Sequence, residues 1–468
     1  MTISSVRASG AAAPATRPDR PDPGRRPRRV AVWYALFAVY AGGVALFSGP
    51  GNDRSWGIWA ASGYAAAATL AVAWPSRRGR RAALAASLAG GLVAPLTWLA
   101  TQAPATPDVV VVTRSAALLL HHATPYLPSA QLAHGGWLAY NPYLPVMAVF
   151  GLPRALGLPG LAGDPRPWLA VATFLLLAAA FRAVGSDRAG SRGYLGRAGF
   201  ATASPVLAFP LAVGITDPPV LALTCLALAL LAGPAWTGRS AWADRRDWLA
   251  ALALGAACAM KYTAWPALVV LAVMIAARDG RRAAARFAAA AVTAAAILAA
   301  ALAPAAVAAP AALVQNTLAF PLGLTHAHTP AQSPLPGHLL ATLGPAGHLA
   351  AIILLITAGL AIAASLVTHP PADAPAAARR LALGLTLMFA LSPATRFGYF
   401  AYPIGLYGWL ALSGQESLRL GRLLDRGQRH RDPAVRVLRA ASDPGLRLRS
   451  VQLMEQGDAS REELPRLG

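Results

Sequence analysis

Apolar runs of about 20 residues, the length a helix needs to cross roughly 30 Å of hydrocarbon, recur from residue 30 to residue 413. Such runs leave few folds open. In hydrocarbon every backbone N–H and C=O must find its partner within the chain, which admits only helices or closed barrels. Barrel strands would alternate polar and apolar residues over ten-residue segments, and these runs do not. The chain is therefore expected to be all-α and polytopic. Its 13% of charged residues agrees, since a soluble chain carries about 25%.

Candidate spans fall at 30–48, 58–75, 83–102, 167–183, 198–214, 218–233, 247–260, 263–277, 286–304, 347–367, 381–394 and 397–413, about twelve transmembrane helices. The stretch 141–160, NPYLPVMAVFGLPRALGLPG, is apolar enough to cross but is broken by Pro142, Pro145, Pro153 and Pro159 and carries Arg154. Charge decides its placement. If it lies along or dips into the outer surface, 35 of the chain's 40 arginines fall in cytoplasmic tails and loops; if it crosses, 24 of them move outside. The first arrangement describes a plasma-membrane protein with both termini cytoplasmic. It has a disordered Arg/Pro-rich tail at 1–29, a membrane domain at 30–413 with outer loops 103–166 and 305–346, and an Arg-rich tail at 414–468. The net charge of +22 is spread in this positive-inside pattern and gathers on no single face, so the bilayer is the expected partner and nucleic acid is not.

Few charges remain on the outer side: Asp53, Asp108, Asp164 and Asp217, with Arg54, Arg114, Arg154, Arg166, Arg396 and Lys261. Lys261 is the only lysine in the chain and stands in GAACAMKYTAWP, between two apolar runs. A cation at the membrane edge is a candidate functional group, but it can equally snorkel as an anchor beside Tyr262 and Trp265. Asp108, within PDVVVVTRS, has the local setting of a helix cap. Asp217, within GITDPP, reads as an N-cap with Pro218 at the first helical position. Arg166 and Arg396 offer guanidinium forks or interfacial anchors. His326 and His328, in THAHTP, have no further ligands at metal spacing, so no metal site and no cofactor are expected; they fit substrate contact, gating or plain loop polarity. Cys225 and Cys258 lie in apolar spans, and no disulfide framework is expected. No glycine-rich phosphate loop or nucleotide fingerprint occurs.

Taken in chain order, the outer-loop Asp108, the segments TPYL and YNPYLP, then GITDPP and GAACAMKYTAWP resemble the GT-C class of integral membrane glycosyltransferases. Within it they are most similar to the polyprenol-phosphate-mannose-dependent, glycosyltransferase family 87-like branch of actinobacteria, over roughly residues 104–403. The resemblance implies a GT-C-like fold and inverting transfer of a sugar, mannose in that branch, from a polyprenyl-phosphate donor. The acceptor would be a hydroxyl of a glycan or lipid-linked molecule at the extracytoplasmic face. It implies Asp108 as general base, an arginine at the place of Arg166, and a second acid at the place of Asp217 that helps to hold the acceptor or a metal. With such a donor, Lys261 and Arg396 would meet the lipid phosphate as charge builds on the leaving oxygen.

Two departures stand out. Two spans precede the acidic loop where relatives have one, so Asp53 in GPGNDRSWG competes with Asp108, although a nine-residue turn leaves little room for two substrates; YNPYLP also lacks the adjacent prolines common in relatives. A transporter or lipid flippase is the alternative reading, favoured by the number of spans and opposed by the lack of an internal repeat. A scaffold acting through the tail at 414–468 is a third.

Overall fold

The computed structural model describes residues 25–185, 193–232, 245–327 and 329–414. Among these residues there is no strand, only an isolated parallel bridge between Gln332 and Thr395. Fifteen helices of nine residues or more occur: α1 Arg25–Phe47, α2 Asn52–Ala73, α3 Arg77–Leu88, α4 Ala94–Gln102, α5 Pro107–His122, α6 Pro165–Val184, α7 Gly193–Ala203, α8 Pro205–Val213, α9 Asp217–Leu231, α10 Arg245–Cys258, α11 Trp265–Asp279, α12 Arg281–Leu302, α13 Pro345–Thr368, α14 Ala374–Leu391 and α15 Ala401–Ser413. The chain separates into two compact units, Met1–Leu406 and Tyr407–Gly468. Of the second only Tyr407–Gly414 is described, where α15 ends.

The all-α, polytopic expectation holds, whereas the count of twelve spans does not carry over as it stood. Among the described residues seven helical segments are long and apolar enough to cross a membrane: Val30–Phe47, Arg77–Gln102, Pro165–Val184, Tyr262–Asp279, Arg281–Leu302, Pro345–Thr368 and Ala374–Leu391. The other five ranges are helical but fall short by that measure. Helix α2 has the length, but Trp, Tyr, Ser and Gly residues dilute its apolarity. Ser204 and Pro205 interrupt the run of α7 and α8, because proline disfavours helical geometry in the residue before it. Helices α9, α10 and α15 have 15, 14 and 13 residues, or about 20–22 Å at 1.5 Å per residue. The stretch 141–160 forms a seven-residue 3-10 helix, Pro145–Gly151, and the short helix Leu152–Ala155, with Gly160 opening another four-residue turn. Helix α1 begins at Arg25, inside the stretch expected to be a tail; arginine is a good helix former, and Pro27 falls in the first turn, where a missing N–H costs nothing. The remaining tail expectations, 1–24 and 415–468, lie outside the described residues.

Hydrogen bonds between connections show which helix ends lie together. Asn52 Nδ2 donates to Pro104 O (3.1 Å), Thr106 Oγ1 to Val213 O (2.8 Å), Leu144 N to Met260 O (3.1 Å), Ala305 N to Ala123 O (3.2 Å) and Ser333 N to Thr395 O (2.9 Å). The connections around 52, 103–164, 214–216, 259–264, 303–344 and 392–400 therefore share one end of the bundle, the loop-rich end. At the opposite end, arginines satisfy helix C-termini: Arg246 Nη2 donates to Ala183 O and Arg278 Nη1 to Leu231 O, both at 2.8 Å.

Helix α9 is the innermost element. It is apolar all round, and nearly every residue is buried as it packs between α6 and α10, as a helix without a polar face must. Helix α13 is its converse, highly apolar yet only 11% buried, so its surface is left to lipid. Close backbone approach at small residues holds the N-terminal helices together. A Cβ on Gly63 of α2 would strike the backbone of Gly90, in the π-helical turn Ala89–Val93 that joins α3 to α4, and the reverse is also true. The deeply buried α9 thus delivers its N-terminus to the loop-rich end at a fixed position.

Candidate active site

Helix α9 opens with Asp217, whose carboxylate is aimed at Lys261. Lys261 Nζ donates to Asp217 Oδ1 at 2.5 Å and to Thr216 Oγ1 at 3.3 Å. The two side chains are 12% and 3% exposed, so Lys261 is no snorkelling anchor. It stands in extended conformation at the break between α10 and the 3-10 turn Tyr262–Ala264, which turns its side chain toward the start of α9. The expected cap role of Asp217 gives way to this pair: Thr216 is the N-cap position, it makes no side-chain cap bond, and Asp217 is the first helical residue.

Two tyrosine rings flank the ammonium, with centroids 5.3 Å (Tyr143) and 5.8 Å (Tyr399) from Nζ. Such rings offer their negative faces to a cation without competing for its hydrogen bonds. Burial opposes the charge on Lys261, but Asp217, Tyr399 and Asp108 outweigh it and hold the ammonium above the ordinary lysine value. Ammonium has three N–H donors. Among the described residues two are engaged, which leaves one for a ligand.

Asp108 reaches the same cluster from the first turn of α5. Thr106 and Pro107 precede it, and Thr106 bonds Val213 O in place of capping, so the start of α5 is tied to the turn before α9. The charge of the Asp108 carboxylate acts on both Tyr143 and Lys261. Burial, then the charge of Asp108, pushes the Tyr143 phenol well above its ordinary range, so it stays a neutral donor. Asp53, the competing acid, is exposed in the first turn of α2.

On the far side of Lys261, Tyr402 Oη accepts from Thr263 Oγ1 at 2.6 Å. Arg396 is partly exposed at the start of the 3-10 turn Phe397–Phe400, where its charge acts on Tyr399. Arg166, at the second position of α6, is only 1% exposed and packs beneath Gly214 in the turn that carries Asp217. Its Nε lies 3.6 Å from Asp164 Oδ1, and Nε and Nη1 make no hydrogen bond. His326 is exposed in the 305–346 loop; His328 lies outside the described residues. Among the described residues no three His, Cys, Asp or Glu side chains cluster as metal ligands.

The structure therefore joins Asp217 and Lys261 in one hydrogen-bonded pair, brings the charge of Asp108 to bear on it, sets Arg396 beside it and Arg166 beneath it, and leaves His326 at the surface. A family model described as glycosyltransferase family 87 matches residues 141–393, more than half of the chain.

The chain belongs to glycosyltransferase family 87.

No curated protein and no solved structure matches it. As a family 87 member the chain is a membrane glycosyltransferase, which sets aside the transporter and scaffold readings. The matched stretch contains Tyr143, Arg166, Asp217 and Lys261, while Asp108, Arg396 and Tyr399 lie beyond its ends. Sequence reasoning missed Tyr143, Thr216, Tyr399 and Tyr402 in this glycosyltransferase. Tyr143 lay in the quoted YNPYLP and Thr216 in GITDPP, but nothing local separates them from interfacial aromatics and ordinary turn residues.

Proposed function

We propose that this glycosyltransferase moves a sugar, mannose by its resemblance, from a polyprenyl-phosphate donor to an acceptor hydroxyl, with inversion, at the extracytoplasmic face of the plasma membrane. The observation that carries the reading is the meeting of Asp108 with the Lys261–Asp217 pair among connections at one end of the bundle. An acid able to take a proton and a cation with a spare donor are the two groups such a transfer needs. The place of Lys261 at the start of the membrane-length segment Tyr262–Asp279 suits a substrate whose head sits at the interface and whose tail stays in lipid.

In the reaction the acceptor oxygen attacks the anomeric carbon as the bond from that carbon to phosphate oxygen breaks. The departing electron pair stays on the polyprenyl phosphate, and the acceptor's proton passes to Asp108. Lys261, through its third N–H, and Arg396, through its exposed fork, receive the growing phosphate charge. Arg166 contributes its charge from beneath the Asp217 turn. The arginine-rich connections at the opposite end would face the cytoplasm and hold this orientation.

Membranes containing the protein should convert radiolabelled polyprenyl-phosphate mannose to a glycosylated product and free lipid phosphate, and Asp108→Asn should abolish conversion at unchanged protein level. Full conversion by that variant would remove Asp108 from the role of base. Consumption of a nucleotide sugar in place of the lipid donor would overturn the donor class.

A further inference from the structure

The described residues include no strand, yet two extended segments do meet, and they meet at Arg396. Ser333 N donates to Thr395 O and Thr395 N to Ala331 O, both at 2.9 Å, and these two bonds make the parallel bridge between Gln332 and Thr395. Past Arg396, Phe397 N donates to Ser333 Oγ at 3.1 Å. Ser333 therefore grips the chain immediately before and immediately after Arg396. Arg396 is itself extended, with φ −131° and ψ 142°, so its side chain leaves the backbone between these two holds.

The grip is anchored on both sides. Thr395 is fully buried and donates through Oγ1 to Phe389 O at 2.7 Å, which fastens it to the last turn of α14. Further along the other segment, His338 Nδ1 donates to Pro393 O at 2.9 Å; facing a carbonyl, that nitrogen must carry the proton. A Cβ on Gly337 would strike Leu391 O, so only glycine lets the short helix Pro336–Ala341 come this close. Pro334 and Pro336 fix two backbone torsions of the segment, which lowers the entropy lost in holding it in place. Residues 331–338 thus lie as a strap across 391–397. Beyond Arg396 the chain turns at once, with Tyr399 N donating to Arg396 O at 3.1 Å, and Tyr399 sets its ring 5.8 Å from Lys261 Nζ. One turn therefore separates the strap from the Lys261–Asp217 pair.

We propose that Ser333 is a positioning residue for sugar transfer: by holding Thr395 and Phe397 it sets where the Arg396 guanidinium points, and through that how the donor phosphate is met. This rests on the phosphate role given to Arg396 above. A partly exposed arginine has many rotamers open to it, and a backbone fixed on both sides limits which of them reach the site. The 305–346 connection thereby takes part in donor binding without touching the donor.

Ser333→Ala removes the acceptor for Phe397 N and leaves the backbone bridge. In the full chain in detergent, with radiolabelled polyprenyl-phosphate mannose, it should raise donor KM about three- to tenfold, with kcat within about twofold of the parent and an unchanged melting temperature. Ser333→Thr keeps the hydroxyl and should restore the parent KM. The deciding measurement is the cycle with Arg396→Ala: Ser333→Ala should raise KM in the parent and leave it unchanged in Arg396→Ala, because the arm it aims has gone. An equal rise in both backgrounds, or no rise in the parent while Arg396→Ala raises KM, overturns the inference and leaves the phosphate reading of Arg396 intact. If Ser333→Ala loses folded protein, His338→Ala, at the other end of the strap, goes through the same cycle and is judged by the same outcomes. An unchanged KM in Arg396→Ala alone would remove the phosphate reading and this inference with it.

Discussion

Lys261 Nζ and Asp217 Oδ1 lie 2.5 Å apart across 44 residues of chain, and neither side chain is more than 12% exposed. A buried pair of this kind owes its persistence to the partner rather than to net stabilisation, because desolvation offsets most of the attraction. Removing one partner therefore costs more than removing both. Lys261→Met should destabilise the protein by about 3–5 kcal/mol, and the double variant Lys261→Met/Asp217→Leu should recover most of that loss. Melting in detergent micelles reads the stability, and sugar transfer should be lost in both variants.

Arg396 is partly exposed at the edge of the cluster and not drawn into an ion pair among the described residues. Its loss should be felt in substrate binding. Arg396→Ala should raise donor KM about tenfold or more, the value of a charge-assisted hydrogen bond to phosphate, while Arg396→Lys recovers part of it. Steady-state kinetics over a range of donor concentrations separates the two variants, and an unchanged KM in Arg396→Ala would remove Arg396 from the phosphate site.

Gly214 has φ +92°, and a Cβ there would run into Val109 Cγ2 and the Arg166 side chain. Gly214→Ala should therefore cost about 2–5 kcal/mol, combining left-handed strain with overpacking. Because the turn bears Asp217, transfer should fall alongside stability. Gly42→Ala, with open space around its Cβ, is the control and should stabilise α1 by about 0.5–1 kcal/mol.

Alkali should loosen the site. Lys261 is held above its ordinary 10.5, and burial raises Tyr143 and Tyr399 above their ordinary 10.0. Each keeps its proton more tightly in the folded than in the unfolded chain, so its contribution is fully present below those ordinary values and is withdrawn as pH rises through the folded ones. The melting temperature should show no loss from these groups up to about pH 9 and a fall attributable to them above about pH 10. In Lys261→Met/Asp217→Leu the alkaline fall should be shallower.

Much of the fold was legible because apolar run length and arginine placement are set by the bilayer and leave their mark in every segment. The π-helical turn at Ala89–Val93 was not, since it depends on Gly90 meeting Gly63 from another helix. Lys261 could be singled out because a lone ammonium between apolar runs is costly and asks for a reason. Its partner could not: beside Pro218, Asp217 looks like a cap, and only the burial of α9 against α6 and α10 brings it to Lys261. Tyr143 and Thr216 carry no local signal at all, because they meet Lys261 only when distant segments fold together. Arg166 was legible as a cation at the right end of the bundle, but not as one packed under a glycine.

Because Asp217 holds Lys261 before any ligand arrives, a donor of the class proposed would join an ammonium that is already counterbalanced. Loading such a donor would be a sharing among anions, with no naked cation stranded in apolar surroundings beforehand. A spent phosphate carrier, more negative once its sugar had gone, would be surrendered for the same reason: a resident carboxylate stands ready to reclaim its share.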